Sequence, residues 1–181
     1  MRPVFFYQPS SAVTASDAGW RWRWWLCAWA PVVLAIGVIY TESTGTFSAQ
    51  NTSGWLRPVF ERWLGVMADG KWDIVHHYIR KTGHFVGYGA VGFTFLRAWL
   101  HTLNRRVAGS LTAWRVQSSL LAIFSTALVA SADEFHQTLL PSRSGSPVDV
   151  LLDTAGASAL CVLVWLLCWC GRSETRTAAD A

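Results

Sequence analysis

Four runs without a single Asp, Glu, Lys or Arg, at residues 24–41, 82–96, 116–132 and 154–171, leave this chain little choice of solvent. Each run gains length from a flanking polar turn, and roughly 20 mostly apolar residues cross a hydrocarbon core. In that medium the backbone must satisfy its own hydrogen bonds, which selects helices. We therefore expect an all-α fold: an integral membrane four-helix bundle with spans at about 22–41, 80–100, 116–137 and 148–170. Composition agrees, since a chain with 52% apolar and only 14% charged residues lies at the membrane end of the scale. No small-x-small cleavage pattern follows Tyr40, so the first run is read as a span rather than a signal peptide.

Around these spans the chain divides into a flexible cytoplasmic tail (1–19), a transmembrane domain (20–171) and a polar tail (172–181). Arg21 and Arg23 anchor the first span, and Pro31 predicts a kink within it. Trp20, Trp22, Trp24, Trp25, Trp114, Trp165 and Trp169 lie near the ends of apolar runs, where indoles favour the headgroup level. In the first loop, Trp55, Leu56, Val59, Phe60, Trp63, Leu64 and Met67 recur at helical spacing opposite Arg57, Glu61 and Arg62. That pattern predicts an interfacial amphipathic helix in the first extracytoplasmic loop, with a break or fresh start near Pro58. From about Asp73 one helix of about 30 residues is expected to run into the second span.

Nine of the fifteen basic residues fall in the two tails and the 97–115 connection, whereas eight of the eleven acids fall in the other two loops. Positive-inside bias then places both termini in the cytoplasm. The net charge of +4 is spread over membrane flanks rather than gathered in a basic arm, so no nucleic-acid partner is expected. Cys27, Cys161, Cys168 and Cys170 sit inside apolar runs without redox or metal spacing and are read as small hydrophobes with no disulfide.

With this sidedness, the chemistry gathers on the extracytoplasmic face. Lys81, His84 and Tyr88 fall within about a 60° arc of the second helix, with His77 one turn outward, and Gly83, Gly87 and Gly92 offer close approach. Asp133, Glu134 and Gln137 share about a 100° arc at the end of the third, where carboxylates oppose the helix dipole and need partners from Lys81, His84 or Arg143. His136 lies off that arc as a bystander. Ser146, Pro147 and Asp149 suit N-cap, N1 and N3 of the fourth helix, so Asp149 reads equally as a site acid and as a helix starter. Asp153 lies a turn deeper, where ionisation at mid-membrane costs about 2.5–3.5 kcal/mol. Four carboxylates against Lys81 and Arg143 leave a negative surplus, which calls for a protonated carboxyl, a cationic ligand or a metal. No HExxH or CxxC pattern supports a metal, and none is assigned. The absence of a Walker loop, dinucleotide fingerprint or nucleophile motif leaves the cofactor unknown.

The segments RKTGHFVGYGAVG, with Lys81, His84, Phe85 and Tyr88, and DEFHQTLLPSRSGSPVDVLLDTAG, with Asp133, Glu134, Gln137, Pro141, Arg143, Asp149, Asp153 and Gly156, resemble the VanZ-like membrane proteins over about 36–166. The segment after the first span is similar to a polar patch of that family, departing from it at Glu42, Ser48 and Gln50. The resemblance implies a multi-pass protein of the bacterial inner membrane and cell envelope, in a family whose named member is associated with low-level teicoplanin resistance. Three functions are then expected. A binding protein would use Lys81 and Arg143 on a phosphate or carboxylate of a membrane lipid, a lipid-linked wall precursor or a glycopeptide. An enzyme on such a lipid would use His84 with Asp133 or Glu134 as acid and base. A proton-coupled transporter would use Asp153 as carrier, which four spans without an internal repeat support only in a homo-oligomer.

Overall fold

The computed structural model describes residues 18–103, 110–141 and 143–169; the sequence expectations for the two tails, and for Cys170, lie outside the described residues. Among the described residues there are five α-helices and no strand: α1 (Ala18–Ser43), α2 (Ala49–Leu64), α3 (Asp69–Thr102), α4 (Leu111–Thr138) and α5 (Pro147–Val164). A 3-10 turn, Gly45–Phe47, links α1 to α2, and a π-helical turn, Trp165–Trp169, extends α5.

Serine hydroxyls cap the starts of α2, α4 and α5. Ser110 accepts from the Ala113 amide at 3.0 Å to open α4, and Ser146 accepts from Val148 at 3.2 Å to open α5 with Pro147 in its first turn. Gly65, at φ 81°, ends α2 in a backbone conformation that side chains resist.

Three segments are long and apolar enough to cross a membrane: Trp24–Ser43, Leu111–Thr138 and Pro147–Trp169. The expected fourth span, within α3, does not meet the same criterion, because its glycines, His84 and Arg97 dilute its apolar content. The reason is its position. α3 packs on α5, α4 and α1, so it is shielded by helices where they meet lipid, and its contacts favour small and polar residues over aliphatic bulk. Val33, Leu34 and Val38 of α1, Leu120, Phe124 and Leu128 of α4, and Leu151, Val162 and Leu163 of α5 are exposed, an outward apolar face suited to acyl chains.

The tightest packing is the α3–α5 crossing. A methyl group on Gly156 would lie 2.1 Å from the Phe85 carbonyl oxygen, and one on Gly92 would lie 2.7 Å from the Ala157 Cβ. Gly89 faces Gly156 across the same contact. Of the three glycines expected to permit close approach, only Gly92 does so; Gly83 has open space beside it and Gly87 meets only Ile39 at 4.0 Å. Helical phase explains the difference, since Gly89 and Gly92 share the α5 face and Gly83 and Gly87 do not.

At the opposite end of the bundle from the acids, polar contacts tie the helices together. Pro31 lies inside α1 and has no N–H for the Cys27 carbonyl four residues back. Arg97 of α3 replaces that donor, reaching the Cys27 oxygen at 2.9 Å and the Ala28 oxygen at 3.1 Å. Indole N–H groups do similar work: Trp29 donates to Thr102, Trp99 to Ser125, Trp114 to the Leu103 carbonyl and Trp165 to Ser119. The expected headgroup role therefore splits. Trp22 and Trp25 are exposed, but Trp114 and Trp169 are buried, because a buried N–H needs a protein partner and these positions supply one or stack against Arg115.

Pro58 does not break α2, contrary to expectation. The helix is pinned along its length, which offsets the proline cost of about 3 kcal/mol. Ser53 accepts from the Trp72 indole at 2.6 Å, Thr52 meets His76 at 3.1 Å, and Arg57 binds Glu61 at 2.9 Å, Asp69 at 2.8 Å and the Met67 carbonyl at 2.8 Å. Trp55, Val59 and Trp63, one turn apart, remain exposed as an unpartnered apolar stripe, the feature expected of a helix lying on a membrane surface. α3 begins at Asp69, earlier than the expected Asp73, and its 34 residues bear out the single long helix.

Candidate functional site

The carboxyl ends of α1 and α4, the amino end of α5 and the middle turns of α3 converge. They bring together all nine sequence-predicted positions, although the pairings differ from those expected.

Lys81 binds the Asp149 carboxylate, with both side chains partly buried. Asp149 also stands in the first turn of α5, so its helix-starting and ion-pairing roles coexist. Asp133 takes no cation. Its Oδ2 accepts from the buried Tyr88 hydroxyl at 3.0 Å and from Gln137 Nε2 at 3.0 Å, a pair of donors sufficient for a carboxylate oxygen. Glu134, 4% exposed, reaches across to α5: its Oε2 accepts the Ser146 amide at 2.8 Å, satisfying the donor at the helix start from a neighbouring helix.

Asp153, 0% exposed, faces His84, whose Nδ1 lies 3.4 Å from Oδ1. That separation is long for a charge-assisted hydrogen bond, and both Asp153 oxygens are buried without one, as is Glu134 Oε1. His84 stacks on Tyr88 with rings 16° apart, which fixes its plane. His84, Glu134 and Asp153 each place one donor atom within 4.8 Å of the others.

Arg143, expected to neutralise the acids, donates instead to the Glu42 carbonyl and, at 3.3 Å, to the Thr44 carbonyl. The physical reason is that the Glu42 carbonyl, in the last turn of α1, has no helical partner and carries the negative end of the helix dipole. Burial lowers its pKa, with Asp133 and Glu134 opposing that shift. His136 meets Ser43 at 3.2 Å and the Tyr40 ring, apart from the acids, in keeping with its bystander reading.

Two concavities open here. A small one of about 20 Å³ lies against Ile39, Ser43, His84, Tyr88, Asp133 and Gln137. A larger cleft of about 240 Å³ is lined on its polar side by His77, Arg80, Lys81, His84, Arg143 and Asp149. Arg80 escaped the sequence reading, although its position beside Lys81 was a signal, and it is tethered to the Phe47 carbonyl at 3.0 Å. Gly145 was also missed: a methyl group there would lie 2.1 Å from the Glu134 carbonyl oxygen, so the 143–146 turn closes directly over the end of α4. The SRSGSP run was its only trace in the sequence.

An all-helical, multi-pass membrane protein that gathers acids, imidazole and cations at one end of its bundle is the class that this fold and site define. The chain belongs to the VanZ/LLP1 family, whose model matches residues 26–168 and thus spans every helix of the site. No curated protein matches the chain, and no solved structure does.

Proposed function

We propose that this protein binds the anionic headgroup of a membrane lipid or lipid-linked wall precursor at the extracytoplasmic face of the bacterial inner membrane. In this reading α3 is a fourth span over about 80–100, and both termini are cytoplasmic. The observation that carries it is the 240 Å³ cleft, where Arg80, Lys81 and Arg143 face a single carboxylate, Asp149. Guanidinium and ammonium groups at a partly desolvated site suit phosphate or carboxylate. The apolar stripe of α2 lies near the same end of the molecule and would rest among headgroups. The family's association with glycopeptide resistance supplies a setting, because wall precursors and teicoplanin-type lipoglycopeptides both meet the bilayer at this level.

The test is lipid retention by native mass spectrometry from nanodiscs of phosphatidylglycerol and phosphatidylcholine. Preferential retention of the anionic lipid, lost when Lys81→Met and Asp149→Asn are combined with Arg143→Met, supports the reading; equal retention of both lipids overturns it. The double change at 81 and 149 removes a charge pair together, so no buried charge is left alone.

A second reading, an acid–base enzyme on the same lipid, is favoured by one feature: His84 lines the cleft while buried Asp153 stands behind it, the relation of a base to the group that orients it. Turnover of a lipid-linked substrate, abolished in His84→Gln, would select it over stoichiometric binding.

A further inference from the structure

We propose that His84, Glu134 and Asp153 bind a divalent transition-metal ion of the zinc or manganese type on the inner wall of the cleft. The donor atoms already lie within 4.8 Å of one another. Ligands at about 2.0–2.2 Å from an ion are spaced about 3.4 Å apart in a tetrahedron, and His84 Nδ1 and Asp153 Oδ1 stand at 3.4 Å. Glu134 contributes a carboxylate oxygen to the same 4.8 Å group.

Independent of the spacing is the state of the acids. Both Asp153 oxygens and Glu134 Oε1 are buried without a hydrogen bond, in a structure that otherwise satisfies its site acids. Asp133 has Tyr88 and Gln137, and Asp149 has Lys81. Nearby cations are engaged elsewhere: Arg143 on the end of α1 and Arg80 on the Phe47 carbonyl. Two carboxylates and a neutral imidazole around a dication sum to zero charge, which removes the penalty of burying the acids. One nitrogen and two oxygen donors suit zinc or manganese, whereas magnesium and calcium prefer all-oxygen shells. Three protein ligands leave a coordination position open, and His84, half-buried at the cleft wall, sets the direction of that opening. The ligands come from three helices, which is why no contiguous metal motif is present.

Metal binding at these three residues does not depend on headgroup binding and is tested with the metal alone. Full-length protein in detergent is stripped with chelator and titrated with Zn²⁺, Mn²⁺ or Mg²⁺, reading stoichiometry by calorimetry and the unfolding midpoint. We expect one Zn²⁺ or Mn²⁺ per chain, a raised midpoint, and affinity weakened by at least 10- to 100-fold in His84→Ala and in Glu134→Gln. Glu61→Gln, far from the cluster, should bind as the parent does. X-ray absorption of the zinc-loaded parent, which needs no variant to fold, should show a single imidazole among oxygen ligands. Binding of neither Zn²⁺ nor Mn²⁺, Mg²⁺ binding as tightly, a thiolate or a second imidazole in the shell, or undiminished affinity in both variants would each overturn the assignment.

Discussion

Replacing Gly156 by alanine tests the claim that the α3–α5 crossing sets the site. The new methyl group would sit 2.1 Å from the Phe85 carbonyl oxygen, and side-chain Cβ atoms essentially never approach another atom closer than 3.0 Å, so the backbones must part by at least about 0.9 Å. Neither helix can yield by rotating a side chain, because the clashing atom is backbone. Overpacking of this kind costs about 1–3 kcal/mol, which outweighs the 0.5–1 kcal/mol or so that alanine gains over glycine inside a helix. Gly37→Ala in α1, with nothing within 4 Å of the added carbon, provides the matched control and should be neutral or slightly stabilising. Because Asp153 lies three residues from Gly156 and His84 next to Phe85, the same separation lengthens the 3.4 Å His84–Asp153 contact. The assay is reversible unfolding in mixed micelles, read by tryptophan fluorescence, on both variants. If Gly156→Ala proved as stable as Gly37→Ala, the close crossing would be refuted.

Arg97→Met should destabilise by about 1.5–3 kcal/mol through the orphaned Cys27 carbonyl, and Pro31→Ala, which restores an N–H for that oxygen, should recover part of the loss; a double-mutant cycle in the same micelles measures the coupling. Tyr88→Phe removes one of two donors to Asp133 and should cost about 1.5–3 kcal/mol, seen as a lower unfolding midpoint. Burial, and secondarily Arg80, lowers the pKa of His76 below the ordinary 6.5, so the docked α2 favours neutral imidazole. The contribution is full above the unfolded value and is lost as pH falls from there through the folded value, so amide exchange in α2 should quicken upon acidification below about pH 6.5. His76→Gln should flatten that dependence.

Helix positions were legible because burial and lipid exposure act on long runs: the periodicity from Trp55 to Leu64, the long α3 and the Ser146–Pro147–Asp149 start survive in the structure, whereas Met67, read as part of the same helix, lies beyond the Gly65 stop and is buried. Pairings were not legible, since they depend on contacts between helices. Arg143 and Asp133 looked complementary by charge, yet Arg143 is drawn to the end of α1 and Asp133 to Tyr88, because unpaired carbonyls and a buried hydroxyl compete for the same groups. Pro58 misled for a related reason, as a local breaker was outweighed by contacts from α3 that no window of sequence contains. α3 shows the same limit in its hydropathy, which falls because the helix packs against other helices rather than lipid.

The contact between Gly89 and Gly156 also orders events during synthesis. Lys81 and His84 leave the ribosome more than sixty residues before their partners Asp149 and Asp153, so α3 is made with its polar face unanswered. The last helix brings the missing carboxylates, and the glycine contact lets it come close enough to deliver them. A nascent chain stalled before Ser146 would therefore carry an ammonium and an imidazole without their carboxylates, a recognisable mark of incompleteness for quality control.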